Sequence, residues 1–166
     1  MSTDILRRAV SSAILCLVQV LVLNQVHLFG CATPLLYIYV ALTFPLDYPR
    51  WGVLLWCFAV GLVIDTFSNT PGLASASMTL AGLVQPYLLR LLVRRDDPDN
   101  ITPSVAAIGF GKYFFYAFFL VFLHCLCVFT LEVFNFYDWV FWLECVAGST
   151  AVTVLLVITL DSVRRK

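Results

Sequence analysis

Gly61-Leu-Val-Ile-Asp65-Thr-Phe-Ser-Asn-Thr-Pro-Gly72 ends one apolar run and begins another. Its carboxylate sits at the edge of a hydrocarbon-like segment, where a charge is costly and marks a functional or structural site. The turn after it, Ser68-Asn69-Thr70-Pro71-Gly72, is polar and breaks the helical pattern. Thr70 reads as an N-cap and Pro71 as the first residue of the next helix. An apolar helix, a polar turn and a second apolar helix make a membrane hairpin, and the rest of the chain repeats that theme.

The 166 residues are 61% hydrophobic and 12% charged, with a mean hydropathy of +0.94. Soluble domains are about 45–50% apolar and about 25% charged, so the chain reads as an integral membrane protein of one domain covering 1–166. The formal net charge is zero and there is no basic module for nucleic acid. The first apolar run, preceded by Arg7 and Arg8, is longer than the roughly 7–15 residues of a signal-peptide core, and no small-residue cleavage site follows it. It is read as a retained span. The six cysteines lie almost entirely within apolar runs, where Cys acts as a small hydrophobe.

Six spans are predicted, at about 10–29, 32–45, 51–67, 73–93, 107–131 and 139–160. The second is short for the roughly 20 residues a crossing needs, which admits a thin span or a partly re-entrant one; a span is preferred because the alternation of the chain requires it. In span 1, Ser12, Cys16, Gln19, Leu23 and His27 form one stripe. In span 4, Ser75, Thr79, Gly82 and Pro86 form a small-residue face, opposite Leu73, Leu80, Val84 and Leu91. In span 5, Gly109, Tyr113, Tyr116, Leu120, His124 and Cys127 are expected to face inward, and Phe114, Phe115, Phe118 and Phe122 to face lipid. In span 6, Glu144, Ala147, Gly148 and Ala151 form a small-residue stripe headed by a carboxylate.

With six spans and the N-terminus inside, all 10 Lys and Arg residues fall at inner ends. Asp65, Glu132, Asp138 and Glu144 fall at outer ends. The positive-inside rule therefore predicts an even number of spans with both termini cytoplasmic.

Three readings of Asp65 stand side by side: a polar anchor that pairs with another helix, caps span 4 or lines an outward cavity; an interfacial carboxylate reaching water; and a transport group. The anchor is preferred, because a transport carboxylate usually lies nearer mid-membrane. Glu144 either faces Asp65 or snorkels to the surface, and snorkelling is preferred. His27 with Cys31, and His124 with Cys127, share helix faces, yet no second cluster completes a metal set. Ser149 lacks the second glycine of a nucleophile elbow, although a dyad with His124 is open on depth alone. No phosphate-binding loop is present. The chain is expected to be no enzyme, with neither cofactor nor metal.

The stretch Gly61-x-x-x-Asp65-x-x-Ser68, a small polar turn, then Gly72 and a helix with Ala76, Ser77 and Met78 resembles the MreD family of rod shape-determining proteins. Pro34-Leu-Leu-Tyr-Ile-Tyr through Phe44-Pro45 resembles it too, so the likeness runs from about Asn24 to Leu92. The Asp65–Gly72 turn is one residue shorter than the commoner family spelling, with Asn69 and Pro71 where small residues are usual. The resemblance implies a scaffold of the bacterial inner-membrane elongation complex. Its implied partner is the single-pass coiled-coil protein MreC, within a complex containing MreB, RodZ, RodA and the elongation penicillin-binding transpeptidase. It also implies an all-α six-helix bundle similar to the S components of energy-coupling-factor transporters. The alternative function is then a small-molecule-binding subunit of a vitamin-type transporter, its cavity lined by His27, Asp65, Tyr116, His124 and Glu144. The residues expected to carry structure and interaction are Gly61, Asp65, Ser68, Asn69, Pro71, Gly72, Ser75, Thr79, Gly82, Pro86, Glu144 and Gly148.

Overall fold

The computed structural model describes residues 2–23, 33–93, 102–132 and 139–163. They are helical, with no strand among them. Five long helices form the bundle: α1 (Ser2–Leu21), α3 (Arg50–Ser68), α4 (Leu73–Leu92), α6 (Phe110–Glu132) and α7 (Trp139–Val163). Two short helices, α2 (Tyr39–Leu42) and α5 (Val105–Ile108), lie between them. Helices α3, α6 and α7 are long and apolar enough to cross a membrane. At 20 residues each, α1 and α4 reach about 30 Å, also a bilayer core's depth, but they are less apolar.

Helices α3 and α4 pack most closely together, α6 packs on both α4 and α7, and α1 leans on α3. Arg8 of α1 stacks over Phe44 and Tyr48 just before α3 begins, so α1 and α3 start at the same end. Arg7, Arg8, Arg50, Arg90 and Lys112 all sit at helix ends gathered there. Asp65 and the α3–α4 turn lie at the other end.

Helix α6 follows the expected faces. Tyr113, Tyr116, Leu120 and His124 are buried. Phe110, Phe114, Phe118 and Phe122 stack as a ladder on the outside, with centroids 6.2–6.4 Å apart. Cys127 is only half-buried. The helix starts later than the predicted 107, because Gly109 takes φ +87 and separates α5 from α6. In α1, Ser12, Cys16 and Gln19 are buried as one stripe; His27 and Cys31 lie outside the described residues. The five described cysteines are free thiols.

The second predicted span departs from expectation. In place of a helix over 32–45 the chain is irregular through residues 33–35, makes one 3-10 turn at Leu36–Ile38, and forms α2, a single α-turn. Every residue from Leu35 to Leu42 is buried. Pro34 supplies no backbone donor at the start, and Pro45 stops continuation. The Thr33, Leu35 and Leu36 amides bond to side chains of α7 and α1, while the Tyr39 and Thr43 amides donate within the segment. Irregular backbone at membrane depth is tolerated where protein surrounds it, and the five long helices provide that surround.

Candidate functional site

The polar groups of the molecule converge on two places. The first is the α3–α4 hinge. Asp65 ends the buried stripe of α3, and its carboxylate turns toward α4. Oδ1 accepts from the Ala74 amide at 2.8 Å and from the Thr70 hydroxyl at 3.2 Å. Oδ2 accepts from the Ser75 amide at 2.9 Å. The first amides of a helix have no intrahelical acceptor, so Asp65 caps α4 from the preceding helix, with its carboxyl oxygens at the positive end of the α4 dipole. This replaces the expected cap. Gly72, in the left-handed region at φ 87, is the N-cap residue and supplies no side chain. Thr70 instead braces Asp65, and Pro71 lies two residues before the helix, exposed on the turn. Asn69 ends α3 at φ 56 and ψ 36, a conformation Asn accepts better than most residues, and the Thr70 amide returns to the Asp65 carbonyl at 3.2 Å. Ser68 is the last residue of α3.

Gly61 explains why the carboxylate can reach. One turn before Asp65, it lies against the backbone of Ser75. A Cβ placed there would stand 2.4 Å from the Ser75 Cα and 2.8 Å from the Ala74 carbonyl oxygen. Only glycine admits this approach. Further along, a Cβ on Gly82 would meet the Cys57 Sγ at 2.8 Å. Ser75 and Gly82 are therefore buried in the contact, with Thr79 half-buried and its hydroxyl bonded to the Ser75 carbonyl. The buried side of α4 is wider than the expected stripe and includes Ala74, Ser77, Met78, Ala81, Gln85 and Leu89. Pro86 is half-buried inside the helix. Leu80 and Leu91 are exposed as expected.

The second place is the segment from Thr33 to Phe44. Gln19 grips it from α1: its Nε2 donates to the Pro34 carbonyl at 2.9 Å, and its Oε1 accepts from the Leu36 amide at 2.8 Å. From α7, Ser149 Oγ accepts from the Thr33 amide and Thr153 Oγ1 from the Leu35 amide, both at 3.0 Å. Tyr37 and His124 share a bond at 3.0 Å with their rings edge-on. The Tyr116 hydroxyl donates to the Leu42 carbonyl, and Gln85 Nε2 donates to the Phe44 carbonyl. Tyr39 donates to Asp161, which also accepts from the Val105 amide at 3.1 Å and so caps α5. Asp161 is thus a second buried carboxylate that caps a helix in trans. Ser149 and Asp161 are about 18 Å apart along α7, so the segment descends through much of the bundle.

Of the residues of a possible cavity, the described ones, Asp65, Tyr116, His124 and Glu144, do not gather around one. Asp65 is bonded to α4, Tyr116 to Leu42, and His124 to Tyr37. Glu144 is exposed on α7, Ala147 and Ala151 are exposed beside it, and Gly148 is half-buried. The two partners of a Ser149–His124 dyad are separately engaged. Sequence reasoning missed Gln85, Ser149, Thr153 and Asp161 as a set. Their signal was faint: polar residues inside apolar helices, on faces that only the fold brings together.

Two hollows remain. One, of 540 Å³, lies between α1 and α3 and is almost entirely apolar. Ala9, Ala13 and Ala59 leave it open, with Trp56 and Phe67 at its sides, and the Trp56 Nε1–Ser12 Oγ bond ties the helices at its base. The other, of 190 Å³, lies at the arginine-rich end between α3 and α4. Neither is lined by Asp65, Tyr116, His124 or Glu144. Comparison with protein-family models, with curated proteins and with solved structures finds no match.

Proposed function

We propose that this chain is a non-enzymatic scaffold of the bacterial cell-elongation complex, of the MreD kind, that holds the single transmembrane helix of an MreC-like protein. The observation that carries the reading is the apolar hollow between α1 and α3. Ala9 and Ala13 are four apart on α1 and Ala59 faces them from α3, an arrangement that lets a third helix backbone approach closely. The small-residue face of α4 is buried against α3 and α6 and is not available to a partner. A vitamin-type binder needs its polar groups turned toward a cavity, whereas here they bond to the chain's own backbone and side chains. The scaffold is therefore the preferred reading.

In this proposal the chain crosses the inner membrane six times, with the segment 33–44 serving as the core of the second crossing. Both termini are cytoplasmic. The gathering of Arg7, Arg8, Arg50, Arg90 and Lys112 at one end supports that orientation. MreB, RodZ, RodA and the penicillin-binding transpeptidase are then reached through the docked partner or beside it. Depletion of the chain from a rod-shaped host is expected to give round cells. Rods of normal width after complete depletion would refute the scaffold.

A further inference from the structure

The 190 Å³ hollow at the arginine-rich end is unlike the rest of the surface. It opens between the start of α3 and the end of α4, and two cationic side chains, Arg50 and Arg90, line it. Among the described residues neither forms an ion pair. Arg50 lies over the Tyr87 ring at 5.4 Å and reaches its hydroxyl at 3.4 Å, which holds one guanidinium in place at the rim. Arg90 makes no bond among the described residues. The nearest described acid in sequence, Asp47, is exposed on the preceding turn and does not line the hollow. Helix α3 begins beside it at Pro49 with no side-chain cap, so the positive end of its dipole is also uncompensated.

One to two turns further along the same helix faces, the lining turns apolar. Leu54 and Leu83 line the hollow there, and Leu83 is 50% exposed on the outer surface of the bundle. A ligand for this place carries an anion at one end and hydrocarbon at the other. The volume equals the share of about six waters, the size class of a phosphodiester with its nearest glycerol atoms. Guanidinium groups bind phosphate oxygens by paired, charge-assisted bonds. Basic pockets between helices at a membrane surface select anionic headgroups.

We propose that Arg50 and Arg90, with Tyr48 and Tyr87 at the rim, bind the phosphodiester of an anionic phospholipid, whose acyl chains run outward over Leu54 and Leu83. Two cations against one phosphate favour a headgroup with net negative charge over a zwitterionic one, because the choline or ethanolamine cation would face the arginines. The site is independent of the partner reading, since it lies between α3 and α4 and away from the α1–α3 hollow.

The test uses the full chain in non-ionic detergent, with thermal unfolding followed against added short-chain phosphatidylglycerol, phosphatidylcholine or inorganic phosphate. Phosphatidylglycerol is expected to raise the melting temperature well beyond phosphatidylcholine, and inorganic phosphate at equal concentration to leave it unchanged. Arg50→Gln with Arg90→Gln is expected to weaken phosphatidylglycerol binding about tenfold with the lipid-free melting temperature retained. Arg90→Gln alone carries the comparison if the double variant folds poorly. Arg7→Gln with Lys112→Gln, which alters exposed cations outside the hollow, is expected to preserve the lipid response. Equal responses to the two lipids, an equal response to inorganic phosphate, or an equal loss in both pairs of variants would overturn the site.

Discussion

The α3–α4 hinge and the Thr33–Phe44 segment solve the same problem in different ways. Each has backbone amides with no acceptor inside its own element, and each receives acceptors from side chains elsewhere. At the hinge the donors and the acceptor are neighbours: Asp65 reaches Ala74 and Ser75, nine and ten residues on. In the segment the partners are remote, with Thr33 bonded to Ser149 and Leu35 to Thr153 across more than a hundred residues. A local solution leaves a readable pattern of carboxylate, turn and glycine. A distributed one leaves single polar residues scattered over four helices.

The comparison is broken most severely at Gly61. Leucine there has to displace the Ser75 backbone rather than a side chain, and the loss is expected to exceed about 3 kcal/mol. Thermal unfolding in detergent checks it, and a melting temperature like that of the native chain would mean that α3 and α4 are not so close. Next comes Gln19→Leu, which orphans the Leu36 amide and the Pro34 carbonyl together, at a cost of about 3 kcal/mol. Hydrogen exchange is expected to rise selectively over residues 33–42, and unchanged protection there would remove Gln19 from the account.

Asp65→Leu strips the cap from α4 and is expected to cost about 2 kcal/mol, with membrane insertion unimpaired because the change adds apolarity. Asp65→Asn keeps one acceptor and should fall between leucine and the native residue. A loss for leucine no larger than that for asparagine would show that the cap is not the role of this carboxylate. The smallest effect is expected from Thr153→Val, which preserves shape and leaves only the Leu35 amide unpaired, at about 1 kcal/mol. A larger loss than for Gln19→Leu would make α7, not α1, the main hold on the segment.

Periodicity was enough to read the helices with a single lipid face. The phenylalanine ladder of α6 and the Ser12–Cys16–Gln19 stripe of α1 emerge as their spacing indicates. The hinge was legible as a place, through Gly61, Asp65 and the turn, but the identity of the cap was not. Local preference put Thr70 first, and the closeness that Gly61 permits let Asp65 reach the amides instead. The segment 33–44 was legible only as too short. Its irregular path depends on Gln19, Gln85, Ser149, Thr153 and Asp161, whose meeting is a property of tertiary packing that no window of sequence contains. The small-residue face of α4 was legible as a packing face, and it is buried against α3 and α6.

Both regions direct the polar chemistry inward, and the proposed reading gives the membrane-facing surface to a partner. Affinity purification of the full chain in mild detergent tests that division most directly, comparing the native protein with Ala13→Leu, which fills the α1–α3 hollow. The native chain is expected to retain a single-pass coiled-coil protein. Ala13→Leu is expected to lose it while the melting temperature holds. Equal recovery by both, or recovery of an ATPase-coupled transporter instead, would contradict the account.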